Sequence, residues 1–279
     1  NDKKIKLYRN QKHIEGGENF EECKKKAKGE ILFYISTDDV MDVDALKKTH
    51  EAFQLSKDIG IVTRPYYWFE ESVSKPVRVT KQFSQNQIVS INSPYEKIKD
   101  VIASADQISG IGFRKKYMSV PFGNRYFVET ASGVLPVLKN HKAVILKDNI
   151  VAVRTRSGGY GPLVLRPSPM MAWHDLIVTT YSEEKFKNLR QYLIRNFVAK
   201  NYIGLVQIKN FGSYRSLFRE IYYLLKLRWL NIFGPRFWFF SLGTIIVPRF
   251  ILRRLVVIYK NKFKSRVLGS VKINLGGKV

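Results

Sequence analysis

The sequence has little cysteine, few histidines and no long apolar run in its carboxyl-terminal part, and each shortage excludes a class of protein. The single Cys23 cannot form an internal disulfide, which is typical of a protein from a reducing compartment. The four histidines have no spacing that favours a zinc site. In the carboxyl-terminal part the longest uncharged stretch, residues 237–248, has about a dozen residues, whereas a membrane-spanning helix needs roughly 20. We therefore expect neither a disulfide scaffold nor a spanning helix there.

Acidic residues are also scarce, and they are unevenly placed. The chain has 23 Asp and Glu against 48 Lys and Arg, for a formal net charge of +25. From Lys185 onward there are 20 basic residues and a single acid, Glu220. This predicts a mixed-charge globular part followed by a basic, aromatic-rich part. The charge favours an anionic partner, which leaves nucleic acid, acidic lipid head groups and phosphorylated small molecules open.

Strand-like and helix-like segments alternate through the first half of the chain, and 45% hydrophobic residues suffice for a core. We predict strands at 4–8, 30–35, 59–63, 108–113 and within 143–153, and helices at 18–28, 44–55, 94–103 and 126–139. In the second of these helices we expect Leu46 and Phe53 to face inward. The alternation indicates an α/β sheet covered by helices on both faces, and such sheets bind ligands at the carboxyl ends of their strands.

Two adjacent acids, Asp38 and Asp39, follow the apolar run ILFYI, where a strand leaves the core. One interpretation is that one acid caps the next helix and the other is solvated. The other is that they hold a divalent cation, since hard cations prefer carboxylate oxygens.

The whole stretch GEILFYISTDDVMDVDAL resembles the central signature of the family 2 glycosyltransferases, inverting enzymes of the GT-A fold. The matching positions are Ala27, Gly29, Glu30, Asp38, Asp39, Ala45 and Leu46, with Asn19 behind Gly16 and Gly17 upstream. Ser36 and Thr37 stand where the family has its leading acids. The resemblance implies a Rossmann-like mixed sheet flanked by helices. It also implies that Asp38 binds Mg²⁺ or Mn²⁺ and the diphosphate of a nucleotide sugar, with Asp39 supporting it.

The catalytic base is implied by two further segments. ISGIGFRKKYM resembles the strand that precedes the family's acidic pair, and FVETASGVLPVL resembles the helix that the pair opens. Glu129 is then the candidate base, with Thr130 in place of the second acid and Asp106 as a poorer alternative. The plainer interpretation is that Glu129 only sits favourably in the first turn of a helix.

An arginine-bearing segment, VAVRTRSGG, resembles the family loop that closes over the site. Arg154 and Arg156 are candidates for binding phosphate oxygens, although solvated arginines are common on a basic protein. The resemblance covers residues 3–156, without the family's opening nucleotide-binding strand, so we expect an incomplete catalytic domain over residues 1–156. A connector rich in Gly and Pro is predicted at 157–182 and a basic helical region at 183–279.

The basic region is predicted to form amphipathic helices at 183–201, 214–230 and 237–264. In the last of these, Arg249, Arg253, Lys260 and Lys264 fall in one stripe with apolar residues around it, the pattern of a helix that lies on a membrane surface. Two alternatives remain open, an ordinary helical subdomain and a nucleic-acid-binding tail. The resulting expectation is a peripheral glycosyltransferase on the cytoplasmic face of a membrane, acting on a lipid-linked or polysaccharide acceptor. A non-catalytic membrane-binding relative and a nucleic-acid-binding protein are the rivals.

Overall fold

The computed structural model describes residues 4–123, 128–155, 167–263 and 271–276. Its helices are α1 (Gly16–Lys26), α2 (Ala45–Gln54), α3 (Tyr95–Ser104), α4 (Glu129–Asn140), α5 (Pro169–Thr180), α6 (Lys187–Asn196), α7 (Gly204–Phe211), α8 (Tyr214–Leu227), α9 (Pro235–Ile246) and α10 (Arg249–Phe263). Its strands are β1 (Ile31–Phe33), β2 (Val40–Met41), β3 (Ile59–Thr63), β4 (Tyr67–Phe69), β5 (Pro76–Val79), β6 (Gln87–Val89), β7 (Gly112–Arg114), β8 (Lys142–Ile145) and β9 (Val151–Arg154). The predicted α/β class is confirmed.

The main sheet has the strand order β1-β7-β3-β8-β6. Strands β1 and β3 are both antiparallel to β7, and β3 is parallel to β8, so β1, β3 and β8 all run in the same direction. All five residues of β3 are buried, as expected of a strand covered on both faces. The carboxyl ends of these three strands therefore meet at one edge of the sheet.

A second sheet, with the order β2-β9-β4-β5, was not predicted from the sequence. Its strands β4 and β9 are parallel, and β2 and β5 flank them in antiparallel fashion. The chain crosses from the main sheet to the second sheet between β1 and β2. This crossing segment contains Asp38 and Asp39.

The helical region and the sheet share one continuous core. Trp173 of α5, Leu217 of α8 and Phe237 of α9 belong to the same buried cluster as Leu32 of β1 and Phe113 of β7. Helix α5 lies inside the segment 157–182 that we predicted as a connector. Ser168 caps this helix by accepting the N–H of Met171, with a proline at the first helical position, so part of the Gly/Pro punctuation is a helix start rather than a linker.

Two predicted strands differ from the structure. Residues 5–10 form no strand, and Ile5 and Leu7 are exposed. The strand expected at 108–113 begins only at Gly112, because the chain turns through Gly110, whose φ of +82° lies in the left-handed region that favours glycine.

A short segment, residues 271–276, lies against the start of β2 and the residues after it. Asn274 donates its N–H to Asp42 Oδ2 at 2.6 Å and accepts the N–H of Val43 at 2.9 Å. Val271 is buried with Tyr67 and Phe69. This segment, beyond α10, therefore returns to the second sheet.

Candidate functional site

The segment after β1 is held by the turn that precedes β7. Tyr34 donates its N–H to the carbonyl of Ile111 at 3.1 Å and accepts the N–H of Gly110 at 2.7 Å. Ser36 then donates its N–H to Ser109 Oγ at 2.8 Å. The backbone leading to Asp38 and Asp39 is thus fixed on one side as it leaves the sheet.

Both carboxylate oxygens of Asp39 accept hydrogen bonds. Ser109 Oγ donates to Oδ2 at 2.5 Å, and the backbone N–H of Arg154 donates to Oδ1 at 2.8 Å. Burial raises the pKa of Asp39, and these two hydrogen bonds oppose the increase. Asp39 therefore links the turn before β7 to the end of β9, so it joins the two sheets.

The helix-cap interpretation does not apply to Asp39. Helix α2 begins at Ala45 and has Asp44 at its N-cap position, with no side-chain cap. The nearest side-chain contact there is from Asp42, whose Oδ1 accepts the N–H of Asp44 at 2.9 Å. Asp38 and Asp39 lie one turn or more before this helix.

Buried Arg64, directly after β3, shapes the turn that presents Ser109. Its guanidinium donates to the carbonyls of Ser104 at 3.2 Å, of Gln107 at 3.0 Å and of Ser109. Burial lowers the pKa of Arg64 to about 10, while the neighbouring Tyr66, Asp106 and Asp39 oppose this decrease. Sequence reasoning missed this residue, although an arginine directly after the apolar run IGIVT was the available signal.

Asp106, the alternative base, is already engaged. The residue is solvent-accessible, but its carboxylate is closely surrounded and accepts a hydrogen bond from the hydroxyl of buried Tyr66. Burial raises the pKa of Asp106, and the Tyr66 hydrogen bond and the charges of Arg78 and Arg64 oppose the increase. This arrangement favours a structural role for Asp106.

Glu129 is the first residue of α4, and its side chain lies against the start of α1. A Cβ built on Gly16 would be 3.4 Å from Glu129 Oε1, so the carboxylate packs directly over this glycine. The positive end of the α1 dipole favours a negative charge there. Burial nevertheless raises the pKa of Glu129, and the charge of Glu15 raises it further. A carboxylate with a raised pKa is better matched to accepting a proton near neutral pH.

The topology brings Glu129 to the same edge as Asp38 and Asp39. Helix α4 leads directly into β8 and packs on it, so the start of α4 lies toward the carboxyl ends of β8, β3 and β1. The rings of Tyr34, which follows β1, and Phe122, which precedes α4, are in edge contact with their centroids 5.7 Å apart. The N–H of Phe122 also donates to Glu21 of α1 at 2.8 Å.

The structure describes one of the two arginines that are predicted to bind phosphate. Arg154 ends β9, next to Asp39, with an exposed side chain whose guanidinium lies 5.4 Å from the ring centroid of Phe69. Its backbone, rather than its side chain, contacts Asp39. Arg156 lies outside the described residues.

An open cavity of about 1100 Å³ lies between the segment before α1 and the start of that helix. Its lining is polar and basic: Arg9, Asn10, Gln11, Lys12, His13, Ile14, Gly16 and Asn19.

The described side chains could hold a divalent cation only together with oxygen atoms of a bound ligand. Within the described ranges, no three Asp, Glu, His or Cys side chains come together as a metal site. Both oxygens of Asp39 are engaged within the protein, and its neighbour Asp38 is the carboxylate that the family resemblance assigns to Mg²⁺ or Mn²⁺. Magnesium commonly binds through one or two carboxylates together with substrate phosphates, and this arrangement corresponds to that chemistry.

Among the described residues, no helix combines the length and apolar character needed to cross a bilayer. The sequence matches no protein-family model and no curated protein.

Proposed function

We propose that this chain is an inverting glycosyltransferase of the GT-A fold. It transfers a sugar from a nucleotide-sugar donor to a lipid-linked or polysaccharide acceptor in the synthesis of a cell-envelope glycan. One observation carries the proposal: the acids after β1 and the acid that opens α4 share one edge of a mixed α/β sheet. The resemblance of the segments around these residues to family 2 glycosyltransferases supports it.

In the proposed reaction, Glu129 accepts the proton of an acceptor hydroxyl while the oxygen attacks the anomeric carbon of the donor. The new carbon–oxygen bond forms as the bond to the diphosphate breaks, so the nucleoside diphosphate leaves with both bonding electrons. Asp38 holds the cation, which when bound neutralises charge on the diphosphate. Arg154 and Arg156 are proposed to contact phosphate oxygens.

The proposed location is the cytoplasmic face of a membrane, with peripheral attachment. The charge of the last third of the chain supports it, because its single acid is internally paired. Glu220 is fully buried, and its Oε1 accepts from Arg219 Nε at 2.9 Å. Each basic residue close to an anionic leaflet contributes about 1 kcal/mol to attachment.

The direct test is donor binding by the chain, measured by calorimetry with a panel of nucleotide sugars and Mn²⁺, together with release of nucleoside diphosphate. Asp38→Asn should abolish metal-dependent binding and transfer with little change in thermal stability. Asp44→Asn is the matched control, since Asp44 lies six residues further along the chain, beyond β2, and makes no side-chain cap. If no donor binds to a folded chain, the non-catalytic alternative is favoured.

Glu129→Gln separates catalysis from binding. We expect turnover to fall by about 10²- to 10⁴-fold with donor affinity retained, since a general base acts mainly in the transition state. Glu96→Gln is the control, because Glu96 also lies in the first turn of a helix, α3. Equal turnover in both variants would remove Glu129 from the mechanism.

A further inference from the structure

Helix α9 buries two hydroxyl side chains next to Phe237, whereas several of its large apolar side chains face outward. Ser241 and Thr244 are buried, and the hydroxyl of Thr244 donates to the carbonyl of Phe240 at 2.7 Å. On the outside, Phe239 is 74% exposed and Ile246 is 72% exposed. A helix that faces water has the opposite arrangement, so this outer face suits an apolar or interfacial environment.

The segments on both sides of α9 continue the exposure of large apolar side chains. We define the apolar face as the following exposed residues: Trp229, Leu230, Ile232, Phe233, Trp238, Phe239, Leu242, Ile246, Phe250, Ile251, Leu255 and Ile258. Trp238 Nε1 donates to the carbonyl of Ile232 at 2.6 Å, which fastens the turn before α9 to this helix. The exposed side chains of this turn and of α9 are therefore held in a fixed position relative to each other.

The basic stripe of α10 does not explain attachment by itself, because its first two arginines bond within the protein. Arg249 donates to the carbonyl of Gly212 at 2.6 Å, and Arg253 donates to that of Asn210 at 2.9 Å. These carbonyls lie at the end of α7, where cations are favoured. Lys264 lies outside the described residues, as does the side chain of Lys260.

The charge around the apolar face identifies its occupant. From Lys185 onward the only acid is the buried, paired Glu220, against 20 basic residues. Tryptophan and phenylalanine next to Lys and Arg are the side chains that lie at the head-group level of a bilayer. We propose that the apolar face inserts into the interface of an anionic membrane, so that attachment has an apolar component in addition to charge attraction.

This inference rests on the proposed membrane location and names the surface that makes the contact. The test is co-sedimentation of the full chain with vesicles containing about 30% anionic phosphatidylglycerol, at about 0.1 M and about 0.5 M NaCl. We expect substantial binding to remain at high salt. Vesicles with brominated acyl chains should quench tryptophan fluorescence, and Trp238→Phe should reduce that quenching.

The matched variants are Phe239→Ser with Ile246→Ser, and Leu55→Ser as the control. Removing roughly 55 Å² of apolar surface from water changes a partition constant about tenfold. Each of the two substitutions removes at least about this much apolar surface from the membrane contact, so the double variant should bind vesicles about 100-fold more weakly. Leu55 is also exposed but lies at the end of α2, and its replacement should leave binding unchanged. All three side chains are exposed, so thermal stability should be unchanged and its measurement excludes unfolding.

The alternative outcomes are distinct. Binding that disappears at high salt, without quenching, would overturn insertion but leave electrostatic attachment. No vesicle binding at all would refute the membrane location as well, while donor turnover in solution tests glycosyl transfer separately. Self-association that the double variant abolishes, measured by light scattering without lipid, would assign the apolar face to a second copy of the chain instead.

Discussion

Replacing Ser109 with alanine tests how the segment carrying Asp38 and Asp39 is held. The Ser109 hydroxyl donates to Asp39 Oδ2 at 2.5 Å and accepts the N–H of Ser36 at 2.8 Å. A hydrogen bond to a charged group contributes about 1.5–3 kcal/mol, and one between neutral groups contributes about 0.5–1.5 kcal/mol. Ser109 is fully buried, so water does not replace its hydroxyl. We expect the free energy of unfolding to fall by about 2–4 kcal/mol.

The assay is urea denaturation followed by intrinsic fluorescence, with the melting temperature as a second measurement. At about 2–4 °C per kcal/mol for a chain near this size, Tm should fall by roughly 5–15 °C. Ser74→Ala is the control, because Ser74 is exposed and its hydroxyl pairs with that of Ser72, and its effect should stay within about 0.5 kcal/mol. A double-mutant cycle with Asp39→Ala should give a coupling energy of at least about 1 kcal/mol. A loss below about 1 kcal/mol for Ser109→Ala would refute the assigned role.

Three other changes have definite expected outcomes. Gly110→Ala should lower the free energy of unfolding by about 2–4 kcal/mol in urea denaturation, since φ is +82° and the new Cβ would lie 2.7 Å from Arg64 Nε; a loss below about 1 kcal/mol would contradict this. Glu220→Ala should cost about 3 kcal/mol in the same assay, because it removes the acceptor of Arg219 Nε and of Ser168 Oγ, and Glu220→Gln should cost less than half as much. Glu15→Gln should lower the pKa of Glu129 and move the acidic limb of the turnover profile to lower pH, because the base must be deprotonated; an unmoved limb would argue against Glu129 as the base.

Helices and strands with a clear local pattern were predictable from the sequence. Strand β3 has the predicted bounds, since its run of apolar residues is buried on both faces. Helix α2 was also placed within one residue, but Leu46 is exposed rather than inward-facing. The buried face of this helix is formed by Ala45, Thr49, Ala52 and Phe53, so Phe53 faces inward as predicted.

The second sheet could not be predicted because its strands are short and its pairings are distant. Strand β4 has three residues, too few to show alternation, and its parallel partner β9 lies more than 80 residues further along the chain. Without that sheet, the position of Asp39 between two sheets was not visible in the sequence.

The acidic positions of the candidate site were predicted from the sequence, whereas the residues that hold them in place were not. Asp38, Asp39 and Glu129 stand out through the segments that surround them. The roles of Ser109 and Arg64 depend on contacts with residues 40 or more positions away, which no local pattern records. The same holds for Arg249, whose partner is the carbonyl of Gly212 across the helical region.

The return of residues 271–276 to the second sheet has a mechanical consequence. The helical region is joined to the sheets both through the chain before α5 and through Asn274, which bonds to Asp42 and Val43. Together with the shared hydrophobic core, this second attachment restrains the helical region from rotating against the sheets. In the proposed membrane-bound enzyme, the reaction centre would therefore stay at a fixed height and angle above the lipid.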